Sequence, residues 1–309
     1  MSRFALSTAW HIARITDARE LLALPARLGF GGVELSSVGL DLAAEVREVA
    51  GDGYPPIVSL HAPCPVPYPG AARLDDLAAL DERRRRAAVD FTKATVDMAA
   101  AVRARAIVLH LGAVEGTLPQ PAIVQAMEDG MKVGMKVGME AGDRDEWKAL
   151  LAKGLAARKA VADRHLDRCM ASLEALTAHA AGSGVRLGAE TRYEYNDLPS
   201  FEEFAVILRE FGDRGVGYWH DVGHGHAQQV LGLATPAQYL ERYGEHLLGF
   251  HLHDARSTRD HLPPGEGDVD FEALRPYARP EHLRVFEVFN VQPEERLDRS
   301  LRYLEELNL

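Results

Sequence analysis

Eight short runs rich in Val, Ile, Leu and Phe, alternating with longer stretches of helical period, constrain this chain more than any other feature. The runs are Phe4–Ser7, Gly32–Leu35, Ile57–His61, Ala106–Leu111, Arg186–Glu190, Gly217–Asp221, Leu248–His253 and Arg284–Phe289. Helical stretches follow them, among them Thr16–Leu28, Arg83–Val102, Phe201–Phe211 and Pro293–Leu307. Alternation of this kind is the pattern of repeated βα units on a parallel sheet, and eight such units close into a barrel. The fold class expected is α/β, a (β/α)8 TIM barrel. A chain of 309 residues fits one such barrel, so residues 1–309 are read as one domain.

One segment breaks the rhythm. Gly112–Ala181 is too long for a single crossover and carries the tandem run Met131-Lys-Val-Gly, Met135-Lys-Val-Gly, Met139-Glu-Ala-Gly. We read it as a helical insertion after the fourth strand, at about residues 113–160. Met every four residues lines one helix face, yet each Gly costs that helix about 1 kcal/mol. A mobile lid or arm is expected, and a packed helical hairpin against the barrel or a second copy of the chain is the competing reading.

Composition narrows the setting. Hydrophobic residues at 47% and charged residues at 26% suit a folded chain with a sizeable core. Lys+Arg 35 against Asp+Glu 46 gives a net charge of -11, which disfavours nucleic acid and anionic lipid as partners. The basic run Arg83–Arg86 lies in a helical pattern and reads as a solvated face. Only Cys64 and Cys169 are present, with no secretory pattern at the start, so both read as reduced thiols and the expected location is cytoplasmic. No apolar run reaches the roughly 18 residues a membrane span needs.

Chemistry appears at the strand ends, where barrel enzymes keep their active sites. The third strand ends on His61, the fourth on His110 and the fifth on Glu190. The sixth runs Trp219-His-Asp-Val-Gly-His224, the seventh Phe250-His-Leu-His-Asp254 and the eighth Val285-Phe-Glu-Val-Phe-Asn290. Six consecutive strands thus deliver His, Asp or Glu. Unpaired buried carboxylates cost several kcal/mol each, so a cation is expected among them. Mixed oxygen and imidazole ligands suit Mn2+, Co2+, Zn2+ or Mg2+. No Walker pattern or dinucleotide fingerprint is present, and Pro263–Gly267 reads as a fixed turn over the mouth.

Several further residues carry weaker signals. Glu34 ends the second strand and reads first as a salt-bridged barrel carboxylate. Cys64 reads as a small buried hydrophobe. Trp10 and Trp219 offer faces for a sugar ring, with core packing the safer assignment for Trp219.

On the stretches His220-Asp-Val-Gly-His224, Phe250-His-Leu-His-Asp254, His261-Leu-Pro-Pro-Gly-Glu-Gly267 and Phe286-Glu-Val288, the chain resembles the xylose isomerase-like barrel superfamily. That group covers sugar isomerases and epimerases, inosose dehydratase and endonuclease IV, and the resemblance spans all but the insertion. It implies that Glu190, Asp221, His251 and Glu287 hold the principal metal, with Glu190 and Glu287 as the acid/base pair. His224 matches a substrate or second-metal position, and with His253 it is expected to orient substrate hydroxyls. His61, His110 and His261 match extra metal ligands of the endonuclease members. Those members carry an Asp two residues before the last histidine, where this chain has Arg259, with Asp260 immediately before His261.

The residues around Glu190, Thr191-Arg-Tyr-Glu-Tyr-Asn-Asp-Leu-Pro199, look like the sugar-enzyme members. A divalent-metal-dependent isomerase or epimerase of a sugar, polyol or keto acid is therefore expected, acting on a small carbohydrate-like molecule. The alternatives are a metal-dependent phosphodiesterase and a noncatalytic metal or sugar binder. The insertion is the first candidate for contact with a second copy in a homo-oligomer.

Overall fold

Parallel strands β1 (Ala5–Ser7), β2 (Gly32–Leu35), β3 (Ile57–His61), β4 (Ala106–Leu109), β5 (Arg186–Glu190), β6 (Val216–Asp221), β7 (Leu247–Leu252) and β10 (Leu283–Phe286) form a ring. Its order is β1-β10-β7-β6-β5-β4-β3-β2, closed by β1 against β2. The computed structural model describes residues 2–67, 76–137, 146–289 and 293–309. Each expected strand is present within a few residues of its expected bounds. The eighth ends earlier, at Phe286, which leaves Glu287 just past the strand. Asn290 lies outside the described residues.

Helices α1 (Ala18–Arg27), α2 (Leu40–Val49), α3 (Glu82–Ala101), α6 (Phe201–Phe211), α7 (Val222–Val230), α8 (Pro236–Tyr243) and α9 (Glu294–Glu306) follow the strands, and their starts are written in side chains. Asp17 accepts from the Glu20 N–H at 2.8 Å, and Ser200 and Glu203 form a reciprocal capping box at α6. Three arginines of the Arg83–Arg86 run are paired: Arg84 with Asp76 and Glu115, and Arg85 and Arg86 with Glu82.

The bore of the barrel is filled by Ala5, Ala106, Val108, Leu283, Val285 and Trp219. Trp219 fits because its neighbours are small. A Cβ on Gly188 would sit 3.2 Å from its ring, and one on Gly249 would sit 2.9 Å away. Core packing is therefore the role of Trp219. Trp10 lies in a single 3-10 turn after β1, is buried, and has the Arg14 guanidinium 4.5 Å above its ring, so it presents no open face to a sugar.

Between β4 and β5 run α4 (Gln120–Val137) and α5 (Glu146–Ala180); the Met139–Gly142 unit of the tandem run lies outside the described residues. The expectation of a mobile arm does not hold for α5. Arg158 on it donates to both oxygens of Glu203 at 2.9 and 2.6 Å and to the Asp197 carbonyl at 3.0 Å. Ser172 donates to the Leu77 carbonyl, and Arg85 on α3 donates to Ser172. Gly154 lets the helix approach Tyr195, whose hydroxyl would lie 2.4 Å from an added Cβ. A bidentate Arg–carboxylate pair and a glycine contact of this kind fix one docked position.

Two buried histidines outside the strand-end clusters carry a pH signature. Burial, as the main cause, lowers both His11 and His220 to about 4. Unfolding frees each to an ordinary value near 6.5, so the unfolded chain binds more protons between these limits. Their contribution is complete above about pH 6.5 and lost as pH falls toward 4, about 3 kcal/mol for each. Urea unfolding from pH 7 to 4 should show this decline, and His220→Gln should flatten part of it. An unchanged slope in the variant would remove His220 from the account.

Candidate metal centre and active site

The strand ends converge at one mouth. Ligand atoms of Glu190, Asp221, His251 and Glu287, all four residues buried, lie within 4.8 Å of one another. His251 Nδ1 is the hub: Glu190 Oε1 is 2.6 Å away, Glu287 Oε2 3.0 Å and Asp221 Oδ2 3.7 Å. Burial alone would depress the His251 pKa. The charges of Glu287 and Glu34, with hydrogen bonds to Asp221 and Glu190, outweigh burial and raise it well above the usual value. Burial likewise opposes ionisation of Glu190, Asp221 and Glu287, but the surrounding histidines hold all three well below the ordinary carboxylate range. Three ionised carboxylates and one imidazole, buried and close enough to share a guest, fit a divalent cation.

Two more groups flank this one. His61, His110 and Glu190 form one, and His224, His253 and His261 the other, each with ligand atoms within 4.8 Å of one another. His61 Nδ1 faces the Ala62 carbonyl at 3.1 Å, so that nitrogen carries the proton; burial, then the charge of His110, lowers the pKa of the ring. His224 is arranged alike, with Nδ1 3.0 Å from the Thr191 carbonyl and burial lowering its pKa. Both therefore keep an Nε2 lone pair for a cation or a substrate hydroxyl. His110 Nε2 lies 2.8 Å from Glu190 Oε2.

His253 takes a different role. Its Nε2 is 2.9 Å from both oxygens of Asp221, and its Nδ1 accepts the His261 N–H at 2.9 Å. Both nitrogens are committed, so His253 orients the Asp221 carboxylate and anchors the chain at His261. Gly223 makes room for it, since a Cβ there would sit 2.1 Å from His253 Cε1. Gly223→Ala should displace this ring and weaken cation binding about 10- to 100-fold, read by calorimetry with the circular dichroism spectrum unchanged. Parental affinity in that variant would show that His253 does not hold Asp221 in place.

The sequence gives no warning of the hairpin β8 (Asp254–Arg256) and β9 (Arg259–Leu262) that leaves β7 and returns over the mouth. Asp254 secures its base by accepting four backbone N–H bonds, from Ala255, Gly265, Gly267 and Val269, at 2.8–3.0 Å. Those bonds set the Pro263–Gly267 turn over the mouth, and Gly267 has no room for a Cβ beside Asp254.

At the hairpin's return, His261 has φ 56°, a left-handed backbone rare for a non-glycine residue. Extended neighbours point to opposite faces. The left-handed residue breaks that alternation, so Asp260 lies 3.1 Å from His261 Nδ1 and also 3.5 Å from His224 Nε2. A carboxylate thus reaches this pair of histidines in spite of the Arg259 departure. Burial opposes protonation of His261, but Asp260 and Glu287 raise it to about 10.

Sequence reasoning missed Arg192. Its Nη1 donates to Glu190 Oε2 at 2.8 Å, and it lines a cavity of about 290 Å³ with His110, Tyr193, Asn196 and Asp197 beside the Glu190–His251 cluster. The signal was available, since two residues beyond Glu190 an extended chain returns to the same face. Cys64 is buried, and burial pushes its thiol up to about 12, which removes it as a nucleophile. No helix among the described residues is long and apolar enough to cross a membrane.

Comparison with known proteins agrees with this architecture. The uncharacterized protein y4fM of Sinorhizobium fredii (strain NBRC 101917 / NGR234) is 24% identical over 226 residues, 73% of this chain and 59% of that protein, so the chain matches under two thirds of that relative's length. Among solved structures, a D-tagatose 3-epimerase-like protein superposes with a TM-score of 0.69 at 18% identity, covering 99% of this chain and 97% of that one. The 3-keto-D-glucoside 4-epimerase YcjR from E. coli superposes with a TM-score of 0.68 at 16% identity, covering 99% and 100%. At such identities the likeness is one of fold. The sequence itself matches the family described as xylose isomerase-like TIM barrel over residues 22–307, and the chain belongs to that family.

Proposed function

We propose that the chain is a divalent-metal-dependent isomerase or epimerase acting on a sugar or a sugar-like polyol or keto acid. One observation carries this reading: Glu190 and Glu287 come from β5 and the end of β10, separated in the ring by β6 and β7, and both converge on His251 Nδ1. Two carboxylates approaching one point from different sides can serve the two faces of a substrate carbon. Glu190, Asp221, His251 and Glu287 would hold the cation, Mn2+, Co2+, Zn2+ or Mg2+. Bound there, it would draw electron density from a substrate carbonyl or hydroxyl and acidify the neighbouring C–H.

One ionised glutamate takes the carbon-bound proton, and the other returns a proton to the opposite face once it has taken one up from solvent through the mouth. His61 and His224 accept hydrogen bonds from substrate hydroxyls through Nε2. Arg192 holds the Glu190 carboxylate against rotation. Closure by the hairpin keeps water from the exposed carbon. The sugar-epimerase relatives in fold support the same reading.

A second reading, metal-dependent phosphodiester hydrolysis, is favoured by the two flanking clusters and by Asp260 between His224 and His261. Metal content per chain, measured on protein purified without chelators, separates the two when paired with turnover of a panel of ketoses and cyclitols. One ion with sugar turnover supports the isomerase. Two or three ions ligated by His61, His110 and His261, with cleavage of abasic-site DNA, would replace it.

A further inference from the structure

We infer that Glu34 is a positioning residue for His251, fixing which ring nitrogen faces the cation cluster. The inference rests on the reading of that cluster as a divalent-metal site. Glu34 sits on β2, with β1 and β10 between it and β7 around the ring, and reaches His251 across the bore. Both of its oxygens lie 3.2 Å from His251 Nε2, and both residues are buried.

An ionised carboxylate only accepts, so Nε2 must carry the N–H, and Nδ1 is the nitrogen turned to Glu190, Asp221 and Glu287. Glu34 is itself held, because Ser59 Oγ donates to its Oε2 at 2.8 Å from the residue directly beside it in the β2–β3 pairing. The ring between them has little freedom. His61 stacks on it at 5.8 Å with planes 10° apart, and Trp219 meets it edge-on at 5.1 Å. Glu34 is fully buried, with Ser59 and His251 as its hydrogen-bond partners, and it acts through the imidazole.

Glu34→Gln keeps the shape and removes the acceptor-only charge. Mn2+ and Co2+ binding to the full metal-free chain, measured by competition with a chelator, should weaken about 10- to 100-fold. The visible absorption of the Co2+-loaded variant at saturation should shift, which a purely structural role would not cause, while the metal-free protein should unfold near the parental temperature. Ser59→Ala, a milder change, should weaken Co2+ binding in the same direction by a smaller factor, and it carries the test if the Gln variant does not fold. Parental affinity with a parental Co2+ spectrum in Glu34→Gln, or in Ser59→Ala should that variant have to stand in, would overturn the role of Glu34 alone. A parent chain that binds neither ion would instead overturn the metal reading, and this inference with it.

Discussion

Glu287→Gln should lower turnover by about 10²- to 10⁴-fold while the barrel stays folded, the range expected for loss of an acid/base group. Gln occupies the same volume, so the packing beneath it is undisturbed and the loss is chemical. The wild-type carboxylate is buried and held ionised by His251, His261 and His61 against the opposing effect of burial. It lies 3.0 Å from His251 Nδ1 and 3.8 Å from His261 Nε2, with no other acid placed to replace it at the end of β10. The measurement is kcat on whichever ketose or cyclitol the parent turns over, beside circular dichroism of the variant. Activity near the parental level would sink its assigned role.

Adding Mn2+ to metal-free protein should raise the unfolding temperature on the order of 5–10 °C at an excess of about a thousandfold over Kd, and EDTA should reverse it. The expectation follows from charge: Glu34, Glu190, Asp221 and Glu287 are buried around His251, so their mutual repulsion is relieved when a cation joins the folded state but not the unfolded one. Asp221→Asn is the informative control. Asp221 also caps α7 by accepting the His224 N–H at 2.7 Å, and Asn caps nearly as well. The variant should therefore fold and lose most of the metal-induced shift. No shift of the parent with Mn2+, Co2+, Zn2+ or Mg2+ would remove the metal site.

The barrel was legible because its strands are short, apolar and evenly punctuated, and because a strand has to end on whatever side chain lines the mouth. His61, His110, Glu190, Asp221, His251 and Glu287 all meet there for that reason. What stayed hidden depends on tertiary direction. Nothing in Phe250-His-Leu-His-Asp254 says that His253 faces Asp221, or that Asp254 gathers three amides from a turn more than ten residues on. The hairpin was missed because Asp254–Arg256 and Arg259–Leu262 are too short and polar for a strand signal. Glycine-broken periodicity in the Met131–Gly142 run suggested a loose arm after β4, and nothing in the sequence says that Arg158, Ser172 and Gly154 further on bolt α5 down through partners distant in sequence.

Trp219 gives the mouth one more property. Because its ring plugs the bore directly beneath His251, the centre opens to solvent from one end only. Arrivals and departures share a single doorway. On the isomerase reading proposed above, a product lingering over Glu190 and Glu287 would hold the place the next substrate needs, so inhibition by product should be competitive in both directions.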